Sequence, residues 1–469
     1  MLQRSSSLLR SAPASRAASL VSGAQCYATK AGEAAPLLNK TVGELLSDQK
    51  AKYEHKDVLV VSHQDIKWTH VELDKYVRGW GNGLPEARVT RKPAPATPDR
   101  VLSFLANDAE NIVTQLGTAT AGRIVVPASP ETTASPAEVD AALKTLQARM
   151  VIVPARFEDR NNIDALNALD EEIPTWPLGV ALNLKKYPNL KHVVNTGEQF
   201  YRGHTMWRDL MVYNPTPSNL PAAGSVSPSE AVLGYLSGGQ TAMFSHSAVV
   251  NSGALFGSVV GLTSSDRICV ASPLHTGHGL QAIVAAIAHG AVAVVPSLVF
   301  EADQVLASLA RDVCTVLQVS PQQLKAVLDS PVLAKHDLAA LQKLVIVGSA
   351  HESSAEVAQL VERATSALKV KEVVVAHTAP NVAGVLFAGS ATQNASSPAA
   401  GRLLPHVEAK LVDGGKAVKP GASGKLYVRG FNVTQGYWGA EKAAVDKEGW
   451  LDTGLQASAS ADGLYTIKH

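Results

Sequence analysis

At 469 residues the chain is long enough for several packed layers, and 46% apolar residues against 18% charged ones exclude a disordered or fibrous protein. A formal net charge of +1 provides no electrostatic footprint for nucleic acid. Cys26, Cys269 and Cys314 are too few and too scattered for a disulfide framework or a cysteine-based metal site.

Residues 1–32 contain Arg4, Arg10, Arg16 and Lys30, with no acid before Glu33, and serine and alanine fill most of the rest. That is the profile of an organellar transit peptide covering residues 1–30, with removal expected near Tyr27-Ala28. The expected destination is the mitochondrion, in the matrix or at the matrix face of the inner membrane, with a chloroplast as the other option. Thr41–Tyr53 then has helical spacing at Val42, Leu45 and Leu46, and Asp57–Val61 reads as a strand. Thr69 and Glu72 are spaced as a capping box that opens a second helix. A strand led by Pro98–Val101, a helix from Glu110 to Ala121-Gly122 and a strand at 123–127 follow. Next come a helix opened by Ser135-Pro136 and a short strand at 150–153. This alternation predicts an α/β fold with parallel sheets. Gly279–Phe300 approaches the length of a membrane span, yet Gly290 and the following AVAVVP run split it into a helix and a buried strand. No transmembrane span is expected.

The most informative stretch is Tyr235–His246, YLSGGQTAMFSH, which follows the apolar run Ala231–Leu236. Gly238 and Gly239 mark a turn that backbone can enter closely, and a strand–glycine turn–helix start can cradle phosphate on free N–H groups. The pentapeptide Leu236–Gln240 also spells the ABC-transporter ATPase signature. That signature works beside a P-loop, and neither Gly415-Lys416 nor Gly424-Lys425 has the spacing of one.

Taken whole, the block resembles the phosphate loop of the adenylate-forming superfamily, the acyl-CoA synthetases and other AMP-binding ligases. Tyr235, Ser237, Gly238, Met243, Ser245 and His246 fall on the pattern Y-T-S-G-T-T-G-x-P-K-G-V-M-L-T-H, and the x-P-K-G portion is missing between Thr241 and Ala242. Further matches run in order along the chain. They are Thr69–Leu73, Pro98–Val101, Leu105–Asn107, Val126–Pro130, the Ser272–Leu280 loop with His275 and His278, Thr315–Pro321, Leu344–Glu352 and the series from Gly401 to Trp438. The resemblance implies the large N-terminal domain of that fold, two packed α/β sheet subdomains plus a small β-barrel or hairpin set. The expected divisions are 31–225, 226–398 and 399–469, with no C-terminal small domain.

The resemblance also implies a phosphate-loop lysine, a magnesium-holding acid, a ribose-binding aspartate and a lysine from the C-terminal domain. Gln240 and Ala242 replace the first with neutral residues. The acid's motif reads Ala376-His377-Thr378-Ala379-Pro380-Asn381, placing proline at the ligand position, and the ribose motif reads Thr453-Gly454-Leu455. The sequence stops at His469, about where the family's hinge begins. His63, His70 and His246 stand singly, and neither a G-x-S-x-G elbow nor an H-E-x-x-H pair occurs.

The expectation is therefore a catalytically inactive member of this fold, not an enzyme, acting as a structural or accessory subunit of a large mitochondrial assembly such as ATP synthase or a respiratory complex. The alternative is an acyl- or nucleotide-binding regulatory module, or a residual adenylate-forming ligase. No catalytic residue, cofactor or metal is expected, and Ser237, Gly238, Gly239 and Thr453 remain as vestigial loop positions. The expected partners are other protein subunits, without nucleic acid and with little provision for a small-molecule ligand.

Overall fold

The computed structural model describes residues 29–30, 36–91, 98–237, 240–348, 353–379, 381–394, 396–440 and 444–468. The proposed transit segment, apart from Thr29 and Lys30, lies outside them; those two pair with Ala409 and Glu408 at the edge of a sheet.

Local signals act where the sequence puts them. Thr69 caps the helix His70–Gly83 in a complete capping box with Glu72, and Thr41 with Glu44 does the same for Val42–Tyr53. Ser135 caps Pro136–Leu146, and its proline takes the first turn, where a missing N–H costs nothing. The long apolar segment forms the helix Gly277–His289, closed by Gly290 at φ 66°, and then the strand Val292–Val295. Among the described residues no helix is long and apolar enough to cross a membrane.

The strands make three main sheets. One runs, in spatial order, through Arg402–Leu403, Val385–Ser390, Glu372–Thr378, Lys343–Gly348, Val316–Val319, Arg267–Val270, Val292–Val295, Asp57–Val61 and Ile66–Thr69. Its interior strands are parallel, and antiparallel strands close both edges. The second runs through His204–Met206, His192–Asn195, Met150–Val153, Arg100–Ser103, Ile124–Pro127, Ala231–Ser237, Gln240–Ser245 and Gly436–Tyr437. The third is antiparallel, with Val407–Asp413, Ser423–Gly430, Leu451–Ala459 and Tyr465–Lys468 as successive hairpin neighbours.

Between the first two sheets lie the helices Val42–Tyr53, Ala109–Thr120, His246–Val260 and Gly277–His289, whose buried residues share one core with both. The last two pack through glycine: a Cβ on Gly253 would sit 2.5 Å from Val284, and one on Gly257 would sit 2.4 Å from His289. Parallel strands buried on both faces are continuous apolar runs, as in Leu344–Val347 and Val373–Ala376, each residue of which is buried. The sheets interleave along the chain. Asp57–Thr69 joins the sheet built mostly from later residues, and Ala231–Ser245 completes the earlier one.

Candidate functional site

The Tyr235 stretch is a β-hairpin. Ala231–Ser237 pairs antiparallel with Gln240–Ser245, joining Tyr235 to Ala242, Leu236 to Thr241 and Ser237 to Gln240. This corrects the strand–turn–helix expectation. With the x-P-K-G residues missing, two residues link the strands, the shortest common hairpin connection, so pairing continues to the turn. The helix starts only at His246, with Ser245 as its N-cap, accepting from Ala248 N at 3.1 Å.

Gly238, Gly239 and Pro380 lie outside the described residues. Ser237 is the last residue of the first strand. Thr453 is buried in the third sheet, where its hydroxyl donates to Leu426 O at 2.7 Å and accepts from Leu455 N at 3.2 Å. Leu455 is packed against the main core. The structure therefore does not bring Thr453 to the hairpin's pocket.

That pocket lies where three motif segments meet: the hairpin, the Ser272–Leu280 loop and the end of the strand Glu372–Thr378. It has a volume of about 180 Å³ and is lined by Tyr235, Ala242, Phe244, Gly277, His278, Thr378, Ala379, Asn381, Val382 and Gly384. Strand alternation explains the hairpin's share. Tyr235, Ala242 and Phe244 project to one face, with the Tyr235 and Phe244 rings 5.8 Å apart, while Leu236 and Met243 pack into the core on the other face.

Buried amides hold the other two walls. Asn107 accepts from Leu274 N at 2.8 Å, and Gln115 donates to Leu274 O at 2.9 Å. Gln318 donates to His278 O at 3.1 Å. Gln281, in the otherwise apolar helix, donates to Ser252 O and Ser252 Oγ at 3.0 and 2.8 Å and accepts from Val385 N at 3.0 Å. Ser252 Oγ donates to Ala383 O at 2.7 Å. Asn381 takes a left-handed conformation, φ 63°, that asparagine tolerates, and its carbonyl accepts from Thr434 N at 3.0 Å.

Burial sets the ionisation here. The His278 imidazole is pushed down to about 4 by burial, with His275 adding to the effect, and His275 itself falls to about 4 by burial. Both are neutral at physiological pH. Thr276 Oγ1 already donates to Pro273 O at 2.6 Å, so its 3.4 Å contact with His278 Nε2 requires that nitrogen to carry the proton, leaving Nδ1 an acceptor. Burial raises the Tyr235 phenol well above its ordinary value, so it stays protonated. Its Oη and Asn381 Oδ1 are buried with no hydrogen-bond partner among the described residues.

No group of three His, Cys, Asp or Glu side chains able to hold a metal occurs among the described residues. Residues 376–381, AHTAPN, offer no carboxylate, so the magnesium implied by the resemblance has no matching acid there. The resemblance drew attention to Tyr235 but gave its phenol no role, and it passed over Asn381 and Gln281. Gln281 carried a usable signal: a single amide on an otherwise apolar helix needs buried partners.

The fold and the hairpin site define an AMP-binding enzyme: the model of that family matches residues 46–438, and the chain belongs to it. Among similar proteins, the medium-chain acyl-CoA ligase ACSF2, mitochondrial, of Rattus norvegicus is 25% identical over 92% of this chain and 71% of its own length. The protein of the same name from Danio rerio is 26% identical over 90% and 70%. The crystal structure of the anthranilate CoA ligase AuaEII in complex with anthranoyl-AMP superposes with a TM-score of 0.75. That match covers 92% of this chain and 78% of the other at 22% identity, and shows the fold alone. These findings overturn the expectation of a non-enzymatic structural subunit. The family is one of enzymes, and the relatives at 25–26% identity are named as ligases across most of their length. Missing motif residues made the inactive reading attractive, but they do not assign a scaffolding role.

Proposed function

We propose that this chain is a residual adenylate-forming ligase that activates a small carboxylic acid with ATP and passes the acyl group to the thiol of coenzyme A. One observation carries the reading: the three motif segments, the hairpin, the Ser272–Leu280 loop and the end of the strand Glu372–Thr378, converge on one pocket of about 180 Å³. Family membership and the ligase relatives support it.

In the first step the substrate carboxylate oxygen bonds to the α-phosphorus of ATP as the bond to the β-phosphate oxygen breaks, and pyrophosphate leaves. In the second, the thiol sulfur bonds to the acyl carbon, AMP leaves and the thiol proton passes to solvent. The chain's own residues bind and orient the acyl part. Phe244, Ala242, Val382 and the Tyr235 ring line the space that takes it, and neutral His278 adds no competing positive charge.

The reaction is expected to be slow. The hairpin link contains no cation for the leaving triphosphate, and loss of one such contact typically costs about 2.7–4 kcal/mol in barrier. The test is acid-dependent pyrophosphate release from ATP by the full chain, with hydroxamate trapping of the acyl-adenylate across a panel of short aliphatic and aromatic acids. Trapped hydroxamate that requires both acid and ATP is the expected result. Its absence across the panel, with enzyme in stoichiometric amount, overturns the reading.

The mitochondrial matrix is the proposed location, supported by the basic, acid-free Met1–Gly32 segment and by the ACSF2 relatives, which are named as mitochondrial. Import of the full-length chain into isolated mitochondria, followed by protease protection and subfractionation, tests it. Recovery outside the matrix refutes that placement.

A further inference from the structure

We infer that the chain has a second ligand site, a cleft at the opposite end of a strand from the hairpin pocket, that binds a medium-chain alkyl carboxylate.

The cleft lies where two turns enter neighbouring parallel strands. Residues 330–342 lead into Lys343–Gly348, and the turn after the helix Ser354–Leu368 leads into Glu372–Thr378. Lys371 N donates to Gln342 O at 2.8 Å and ties the two walls together. The volume is about 790 Å³, within the range of roughly 300–1,000 Å³ usual for small-molecule sites. No lining residue is shared with the hairpin pocket. Thr378 lines that pocket and ends the strand that starts beside Lys371, so at about 3.3 Å per residue the two sites lie roughly 20 Å apart.

The lining names the occupant. Its apolar part is Leu333, Leu338, Leu341 and Leu368; the last two belong to the core behind the cleft and the first two pack against it. Lys369 and Lys371 also line it as exposed residues, and neither amine has an ion pair or hydrogen bond to a described residue. A lysine ammonium on its flexible four-carbon stem needs no fixed aim to meet an anion at the rim. Asp337 is the single carboxylate of the lining, and its Oδ1 already accepts from Ala339 N at 3.0 Å. Two lysines against one aspartate leave one positive charge in excess, with His336 counted neutral, which suits a carboxylate monoanion better than a phosphate dianion. An alkyl chain on the leucines removes apolar surface from water, while its carboxylate stays at the open rim beside the lysines. Neither end is then desolvated without compensation. Exposed ion pairs are weak, so the chain supplies most of the affinity and the lysines select the sign of the head group.

The experiment titrates the full chain by calorimetry with hexanoate, decanoate and decyltrimethylammonium, all below their micellar concentrations. A methylene fully buried tightens binding about fourfold. In a cleft that covers half of each, four added methylenes are expected to make decanoate tenfold or more tighter than hexanoate. The cationic amphiphile is expected to bind at least fivefold more weakly than decanoate, and the double variant Lys369→Glu with Lys371→Glu to abolish that difference. Ala334→Trp, which fills the cleft from an exposed position, is expected to weaken decanoate tenfold or more. Hydrogen exchange with decanoate is expected to slow in peptides covering 330–342 and 367–371. No decanoate binding, equal affinity for both chain lengths, or no preference for the anion overturns the inference. So does a folded Ala334→Trp or double-lysine variant that behaves as the parent. Slowing confined to 235–245 and 377–384 assigns decanoate to the hairpin pocket and overturns it too. Self-association of the chain that Ala334→Trp abolishes makes a second copy the occupant and overturns it likewise.

Discussion

Replacing Gln281 with leucine tests what holds the pocket together. The side chain is 3% exposed, and its amide joins three elements: its own helix, the helix of Ser252 and the chain entering Val385–Ser390. Leucine keeps the bulk but bonds to nothing. Val385 is fully buried, so its N–H loses the Gln281 acceptor, and Ser252 O loses the Gln281 donor while keeping its place within the helix His246–Val260. A buried group left unsatisfied costs about 1–3 kcal/mol, so Gln281→Leu is expected to destabilise this region by roughly 1–3 kcal/mol. The direct assay is hydrogen exchange read by mass spectrometry on peptides spanning 379–390. A local loss of about 2 kcal/mol accelerates exchange at Val385 roughly 30-fold. Ser252→Ala removes the bond to Ala383 O and one contact with Gln281, and in combination with Gln281→Leu it is expected to cost less than the sum of the two. Unchanged exchange in 379–390, or strict additivity, refutes the claim that this network positions the pocket segment.

Acid is expected to destabilise the fold through its buried histidines. His70, His192, His204, His275 and His278 are lowered to about 4 and His246 to about 3, chiefly by burial, against an ordinary value of 6.5. A depressed value means the fold binds these protons less well than the unfolded chain. Their contribution is therefore complete above pH 6.5 and is lost as pH falls from 6.5 toward 4, with one such deeply buried group at pH 5 worth at most about 2 kcal/mol. Thermal unfolding between pH 7.5 and 4.5 checks this, and a flat melting temperature down to pH 5 contradicts it. Gly279→Ala would place a Cβ 2.1 Å from Pro273 O, a backbone atom that cannot step aside. Overpacking of this kind costs about 1–3 kcal/mol, and because it displaces the His278 turn, a lower melting point is expected together with weaker acid binding. Gln240 is exposed at the start of the second hairpin strand. Gln240→Lys is expected to raise the ATP-dependent rate tenfold or more by returning a cation to the turn, measured as pyrophosphate release; no gain argues against triphosphate passing this turn.

Much of the architecture was legible because it follows from local chemistry. Thr69 with Glu72, Ser135 with Pro136 and Gly290 after an apolar helix each satisfy or end a helix by contacts within a few residues, and the structure forms them there. The order of motif matches likewise identified the family without any tertiary information. The site was less legible. Reading absent residues as absent function misassigned the chain, since motif loss says nothing of which side chains remain close together.

What the sequence determined by itself is several of the helices and strands, the caps at Thr69 and Ser135, and membership of the AMP-binding family, because hydrophobic periodicity and capping are local properties. Tertiary structure alone decided that the shortened loop zips into a hairpin, that Thr453 bonds within its own sheet, and that Tyr235, His278 and Asn381 share one cavity. The same is true of protonation, since burial by distant segments keeps His278 neutral and the Tyr235 phenol protonated. Which polar atoms stay unpaired depends on neighbours far away in the chain, and only packing of the two sheets around their shared helices brings those neighbours together.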